Sequence, residues 1–350
     1  MFEASLEESM IYEKINENSV FLFNDDVELL YCAQSIFMKE SKNDIFPKLF
    51  TEELKNELMR IHYFACEIHT SLCDLHQFGF LEHLLHYPLK DFTLDGFEAY
   101  LLSLSKEDFL IRFFDLKEEN DIKELKEAIQ IEESIEKFYN THNNLMKSYI
   151  AMFSLFHNTE RYIKEFIDLA RGFRTNEFIN FMEDSIEIRN QELTRCQNGL
   201  VEMEELEFSQ LIMGKTFYNR GPYEMFYFAP SFLLPFRGLR FFGKVQILFY
   251  NVNKIPVNDE IMLKQLKVIA DSTRLKIFAL LNKMEPMRGL DIANELKLAP
   301  STVSHHMDQL KNAGLLNEEQ VKNSKYYSIS RNSVNELLTL LSETLTKKGV

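Results

Sequence analysis

The chain has 350 residues, more than one average domain of roughly 150 residues, and its 45% hydrophobic share excludes general disorder. Eleven glycines and eight prolines are too few for a turn-rich sandwich or barrel, and four cysteines are too few for a disulfide scaffold. The first ten residues lack the regions of a secretory signal, and no apolar run approaches the roughly 18 residues of a membrane span. We therefore expect a cytoplasmic, mainly helical protein without a membrane partner.

Residues 1–257 are predicted to form a helical domain. Apolar residues recur at helical spacing in seven segments, which are 26–40, 51–85, 94–114, 120–139, 160–170, 176–197 and 201–213. Beyond residue 214 the composition changes, and the aromatic and β-branched segments Tyr223–Phe228 and Lys244–Tyr250 predict strands. We expect them to end the domain as a β-hairpin within 216–252, with Ser231–Phe242 linking them or contributing a further strand.

One predicted helix carries a row of potential soft-metal ligands. They lie on one face of the segment 51–85 at spacings of four, three, four and three, and are His62, Cys66, His69, Cys73 and His76. The alternative is packing, because an apolar core stripe runs beside them and buried cysteines are common. A straight helix offers one ion only two or three of these side chains. We therefore predict no metal site and keep the five residues as candidates for metal or thiol sensing.

Charge and aromatic content divide the chain near residue 257. Residues 258–350 hold 13 basic and 11 acidic residues, whereas the first 257 carry a net charge of −17. Of the 45 phenylalanines and tyrosines, 42 lie in residues 1–257. We therefore predict two domains, 1–257 and 258–350, joined through Asn251–Asp259 with its Pro256.

The aromatic surplus of the first domain is compatible with a pocket for a small molecule or a groove for a peptide, although a phenylalanine-rich core explains it as well. The sequence contains no glycine-rich phosphate loop, no Gly-x-Ser-x-Gly turn and no His-Glu-x-x-His motif. We therefore predict that the protein is not an enzyme and carries no cofactor. The first domain is then expected to be a sensor or effector domain.

The C-terminal domain predicts a winged helix-turn-helix. Asp271 is a helix N-cap, a short helix covers Leu290–Lys297, and Pro300 begins a helix that runs from Ser301 to Ala313. Gly314 ends that helix in the left-handed conformation. Two strands follow as a wing, 315–321 and 325–329, and the last helix covers 332–348. The expected fold class is mainly α with small β-hairpins, a helical domain followed by an α+β winged helix.

The helix that begins at Ser301 has one apolar and one polar face. Val303, Met307 and Leu310 are expected to pack inward. The polar side chains near its N-terminus suit base edges in a major groove, and the basic wing suits phosphates. The residues that we predict to bind DNA are Ser301, Thr302, Ser304, His305, Gln309, Lys322, Lys325 and Tyr326.

Several segments of this domain resemble, in order, the ArsR-type winged-helix repressors. They cover roughly a quarter of the chain and are Leu266–Ile277, Leu290–Leu296, Ser301–Met307, Leu310–Leu316 and Ser324–Tyr327. The resemblance implies a homodimer, made by the first and last helices of the module, that places two recognition helices in successive major grooves. The metal ligands of that family's sensors are absent here, because 290–297 has no cysteine and 332–348 has no histidine, cysteine or aspartate.

The sequence therefore predicts a homodimeric, sequence-specific transcriptional regulator, more often a repressor in this family, that binds double-stranded DNA. Its signal would enter through the first domain from a small-molecule or peptide effector. Two alternatives remain open. One is a metal- or thiol-responsive regulator that uses the His/Cys face, and the other is an interaction protein that binds a peptide partner.

Overall fold

The computed structural model describes residues 10–37, 45–73, 78–214, 216, 222–235, 238–252, 259–321 and 324–346. They form two compact units. The first unit lies within Met1–Asn198 and Tyr223–Asn253, and the second within Gly199–Pro222 and Lys254–Val350. The predicted fold class is confirmed, since both units combine many helices with one small sheet.

The first unit contains a five-stranded sheet with the order β1-β2-β3-β5-β4. Its strands are β1 (Met10–Lys14), β2 (Ser19–Asn24), β3 (Met225–Ser231), β4 (Gly238–Phe241) and β5 (Val245–Asn251). β2, β3 and β5 run parallel, whereas β1 and β4 are antiparallel to their neighbours. All six residues of β2 are buried, as is typical of a strand covered on both faces.

Both predicted strands exist, but they are not partners in the β-hairpin of 216–252, which β4 and β5 form instead. β3 and β5 pair in parallel, with Met225 opposite Val245 and Ser231 opposite Asn251. A parallel pair cannot be joined by a tight turn. The chain between the two strands includes β4, which pairs antiparallel with β5 and forms the edge of the sheet.

Several predicted helical segments of the first unit are divided into shorter helices, whereas the predicted helix 160–170 is present as Thr159–Arg171. The helices are α1 (Asp25–Ser35), α2 (Phe46–Leu49), α3 (Glu52–Ile61), α4 (Tyr63–Ser71), α5 (Gly79–Glu82), α6 (Leu94–Ser103), α7 (Lys106–Phe113), α8 (Glu119–Gln130), α9 (Ser134–Thr141), α10 (Tyr149–His157), α11 (Thr159–Arg171), α12 (Asn176–Asp184) and α13 (Ile186–Glu202), with a 3₁₀ turn at His83–His86. α11 packs against α1, α4 and α6.

Two of the predicted helices are interrupted by local features. Within 94–114, the Ser105 side chain accepts a hydrogen bond from the Asp108 backbone amide and starts α7 as an N-cap. Within 51–85, the backbone at His62 leaves the helical region and separates α3 from α4. α4 then ends at Leu72, which is extended and bridges to Met146. The five His/Cys candidates therefore do not share one helix.

The second unit contains the predicted winged helix. Its helices are α14 (Glu205–Met213), α15 (Asp259–Ile269), α16 (Ser272–Met284), α17 (Gly289–Leu296), α18 (Pro300–Asn312) and α19 (Arg331–Thr346). β7 (Leu316–Val321) and β8 (Ser324–Ile329) form the antiparallel wing, and β6 (Met287–Arg288) adds a third strand beside β8. A core that includes Ile277, Leu281 and Ile292 joins these elements.

The described residues 199–214, 216 and 222, which include the last turn of α13, are assigned to the second unit, whereas the sequence placed them in the N-terminal domain. The Gly214 carbonyl accepts hydrogen bonds from the Arg331 backbone amide at 3.1 Å and from Asn317 Nδ2 at 3.2 Å. These contacts join residues more than a hundred positions apart, so composition could not indicate them. The proposed division between 257 and 258 lies outside the described residues. Among the described residues, no helix has both the length and the apolarity needed to cross a bilayer.

Candidate nucleic-acid interface

A tight turn joins α17 to α18. Lys297 ends α17 in the left-handed conformation, with φ of 55°, and the Leu298 amide donates to the Ala293 carbonyl at 3.0 Å. Pro300 occupies the first turn of α18, where its missing amide hydrogen costs no hydrogen bond. Two helices with so short a connection form a helix-turn-helix, and α18 takes the position of the recognition helix.

The two faces of α18 differ as the sequence predicts. Val303, Met307 and Leu310 are buried in the core of the unit. On the other face, four polar side chains in the first half of the helix are exposed, and they are Ser301, Thr302, Ser304 and His305. Their hydroxyl and imidazole groups can donate to or accept from base edges, so this end of α18 can enter a major groove.

Gln309 is held by a residue that the sequence analysis missed. Its Oε1 accepts a hydrogen bond from Arg274 Nη1, and its side chain is half-buried. Arg274 is fixed in turn, because the Asp271 carboxylate caps α16 by accepting from the Arg274 backbone amide at 2.9 Å. His306 Nδ1 lies 3.9 Å from the same carboxylate. Arg274 thus ties α16 to the middle of the recognition helix.

An ion triad links the recognition helix to the wing. Glu318 of β7 forms salt bridges with two lysines. Its Oε2 lies 3.2 Å from Lys311 Nζ of α18, and its Oε1 lies 3.0 Å from Lys325 Nζ of β8. Tyr326 lies half-buried in β8, and Lys322 lies outside the described residues. Burial alone would raise the pKa of Glu318, but the hydrogen bonds from the two lysines hold it below its usual value. The carboxylate is therefore ionised at neutral pH and neutralises part of the basic wing.

Replacing Glu318 with glutamine is expected to strengthen binding to all duplexes by a few-fold and to steepen its salt dependence. The change frees Lys311 and Lys325 for phosphates, and each additional phosphate contact adds about 0.9 to the slope of log K against log salt. Fluorescence anisotropy across a potassium chloride series measures both quantities. Glu295→Gln is the matched control, since it removes the same charge from an exposed position on α17. Equal slopes for the two variants would contradict the expectation.

The His/Cys candidates of the first unit face different surroundings. His69 is fully buried, and both of its ring nitrogens are in hydrogen bonds. Nε2 lies 3.1 Å from Gln34 Nε2, and Nδ1 lies 3.2 Å from the Tyr162 hydroxyl oxygen. Burial lowers the pKa of His69 to about 3 and raises that of the Cys66 thiol to about 11. His69 is therefore a neutral imidazole whose two nitrogens are both in hydrogen bonds, and Cys66 is a protonated thiol. We interpret both as packing residues rather than as a pair of available metal ligands.

The remaining candidates do not complete a site. Cys73 is half-buried, with its Sγ 3.9 Å from the Asn143 carbonyl oxygen, and His62 lies at the break between α3 and α4. His76 lies outside the described residues. Within the described part of the chain, no group of three or more His, Cys, Asp or Glu side chains is arranged to hold a metal ion.

The fold and the exposed polar end of α18 define a winged helix-turn-helix regulator, and the comparisons identify its family. The profile described as bacterial regulatory protein, arsR family, matches residues 271–318. An uncharacterized HTH-type transcriptional regulator of Methanocaldococcus jannaschii is 35% identical over 77 residues, which are 22% of this chain and 86% of the relative. The chain belongs to the ArsR family of transcriptional regulators.

Two further relatives match the same share of the chain. The transcriptional repressor SdpR of Bacillus subtilis is 31% identical over 81 residues, which cover 22% of this chain and 89% of the relative. A cadmium resistance transcriptional regulatory protein CadC homolog of Staphylococcus aureus is 32% identical over 75 residues, 21% of this chain and 62% of the relative. The protein is thus similar to known regulators over about a fifth of its length.

Proposed function

We propose that the protein is a homodimeric repressor that binds a specific operator through α18 and the wing, and that its first unit receives the signal. The observation that carries the proposal is the row of exposed polar side chains, Ser301 to His305, above a fully buried apolar face. Recognition helices of this motif contact base edges with residues near their N-termini, which is where these hydrogen-bonding side chains lie.

Exposed leucines support the homodimer. Leu263 on α15 is 52% exposed, and Leu338 and Leu345 on α19 are 57% and 73% exposed. These are the first and last helices of the module, which the family resemblance assigns to the dimer contact. Burying such side chains against a second copy would stabilise the dimer by removing apolar surface from water.

The charge distribution supports signal input through the first unit. Residues 1–257 carry a net charge of −17, so phosphates repel them, whereas residues 258–350 are weakly basic. A large body that DNA repels is suited to sensing rather than to DNA contact. The repressor assignment is supported by the similarity to the transcriptional repressor SdpR of Bacillus subtilis.

Replacing His305 with alanine is expected to reduce the preference for the operator over random duplex by roughly 5- to 150-fold, the equivalent of about 1–3 kcal/mol for one good base contact. His305 is exposed, so the fold should be unaffected. The operator is first selected from a random duplex library with the full chain. Anisotropy then measures the affinity of each variant for operator and for random duplex.

Asn312→Ala is the matched control, because Asn312 is exposed on the last turn of the same helix. The operator is also tested as an inverted repeat and as a single half-site, since a dimer prefers the repeat with centres about one helical turn apart. A His305→Ala protein with unchanged selectivity would place the recognition surface elsewhere. Failure of the native chain to select any sequence would refute the proposed function.

A further inference from the structure

A cavity of about 490 Å³ opens in the first unit where the α6–α7 corner meets the start of α11. Its size lies within the range of roughly 300–1,000 Å³ that is common for small-molecule sites. All of its lining residues lie between Leu101 and Glu165, and therefore within one unit. None of them belongs to the DNA-binding surface.

One part of the lining is apolar. Leu101, Phe109 and Ile163 are buried and form the inner wall, while Leu102 and Leu104 are half-buried and lie nearer the opening. A ligand with an apolar body would cover these two leucines and gain binding energy from the area it removes from water.

The other part of the lining is charged, with a small positive excess. Lys106 and Lys164 are exposed, and neither has an acidic partner among the described residues. Arg161 is already paired, because its Nε donates to Glu165 Oε1 at 2.8 Å. The lining thus holds three permanently cationic side chains, Lys106, Arg161 and Lys164, and two carboxylates, Glu160 and Glu165, which leaves a net charge of +1.

The beginning of α11 adds further positive potential to the same wall. Asn158, which precedes the helix, makes no side-chain cap; its Nδ2 instead donates to the Ser154 carbonyl oxygen at 3.2 Å. The Asn158 side chain therefore caps none of the first-turn amide hydrogens of α11, and only its backbone carbonyl accepts from this helix, from the Tyr162 amide at 3.0 Å. An uncapped helix N-terminus carries roughly half a positive charge.

We propose that this cavity binds an organic monocarboxylate with an apolar body, and that this ligand is the effector of the regulator. The apolar wall receives the body, and Lys106 and Lys164 receive the carboxylate. An excess of one positive charge matches a single negative charge and disfavours a di- or triphosphate, which Glu160 would repel. The effector role depends on the proposed function, whereas the binding site itself does not.

The test uses the full chain with 3-phenylpropionate as the probe and isothermal titration calorimetry as the measurement. Binding of the carboxylate is expected, and the neutral analogue 3-phenylpropionamide is expected to bind at least tenfold more weakly. A Lys106→Ala/Lys164→Ala variant is expected to lose at least tenfold in affinity for the carboxylate. The matched control is Lys90→Ala/Lys123→Ala, which removes two exposed lysines that do not line the cavity.

The proposed site is overturned if the carboxylate does not bind at 10 mM, or if the lysine variant and its control bind it equally well. The effector role is overturned if saturating 3-phenylpropionate changes the affinity of the native chain for its operator by less than twofold. Operator selection by the ligand-free chain tests the proposed function separately. A failure of DNA binding is therefore distinguishable from a failure of the cavity.

Discussion

Replacing Arg189 with alanine is expected to lower the free energy of unfolding of the first unit by about 3–5 kcal/mol, the usual cost of removing one partner of a buried ion pair. Arg189 is 2% exposed and lies on α13. Its Nε donates to Ser185 Oγ at 2.9 Å, and its guanidinium stacks on the Phe23 ring with 4.2 Å to the centroid. Its Nη1 lies 3.2 Å from Asp25 Oδ1.

The loss arises because the substitution leaves a cavity and removes the larger of the two cationic influences on the Asp25 carboxylate, the other being that of Arg174. Asp25 begins α1, directly after β2, so the defect falls where the sheet meets the helices. Near-ultraviolet circular dichroism during urea denaturation measures the effect, and it reports mainly the first unit because 39 of the 45 phenylalanines and tyrosines lie in Met1–Asn198 and Tyr223–Asn253.

Arg195→Ala is the matched control on the same helix. Its side chain is 51% exposed and pairs with Glu192 one turn away, so its loss is expected to cost less than about 1 kcal/mol. If the two variants were equally stable, the polar cluster around Arg189 would not contribute to the stability of the unit.

The stability of the first unit is also expected to fall as the pH rises from about 5 to 8, by about 3 kcal/mol. Burial raises the pKa of Glu28 to about 8, from a usual value of 4.5, against the opposing hydrogen bonds that the carboxyl accepts. These come from Ser231 Oγ at 3.1 Å and from the backbone amides of Phe232 at 3.1 Å and Leu233 at 2.9 Å.

The sign follows from the two states of this carboxyl group. Between its two pKa values the folded chain holds the Glu28 proton and the unfolded chain releases it. Its contribution is therefore complete below about pH 4.5 and is lost as the pH rises through about 8. Burial also raises the pKa of Asp25, to about 6, so this carboxyl group lowers the stability in the same direction over a lower pH range.

Glu28→Gln removes the titrating group and should flatten the dependence between pH 6 and 8, at a fixed cost for the altered hydrogen bonds. Urea denaturation at several pH values measures it. Glu183→Gln is the control, since that carboxylate is exposed on α12 and its replacement should leave the pH dependence intact. A Glu28→Gln protein with the native pH dependence would assign the titration to another group.

The winged helix could be predicted closely because its signals are local. The Asp271 cap, Pro300 at the start of α18 and Gly314, with φ of 71°, all mark boundaries within a few residues of where the structure has them. The contacts within the candidate site were harder to predict from the sequence. Arg274 donates a hydrogen bond to Gln309, 35 positions later in the sequence, and Glu318 pairs with one lysine of α18 and one of β8. No spacing rule connects such residues.

The sheet of the first unit was not predicted from the sequence for a similar reason. β1 and β2 lie before the first predicted helix, and β2 pairs with β3 about two hundred residues later. Nothing in the short apolar run Val20–Phe23 indicates so distant a partner. The breaks within the long predicted helices had weak signals that could have been used, such as Ser105 three residues before Asp108, a serine cap with an acidic residue following.

The parallel pairing of β2 with β3 and of β3 with β5 has a consequence for synthesis on the ribosome. The apolar strand at Ser19–Asn24 emerges early, yet its neighbour in the sheet is translated only at Met225–Ser231. Until then a nascent chain exposes that strand's hydrogen-bonding edge, a known route to aggregation. A recombinant fragment of the first unit must therefore extend through Asn251, because one that stops at Met213 would lack three of the five strands.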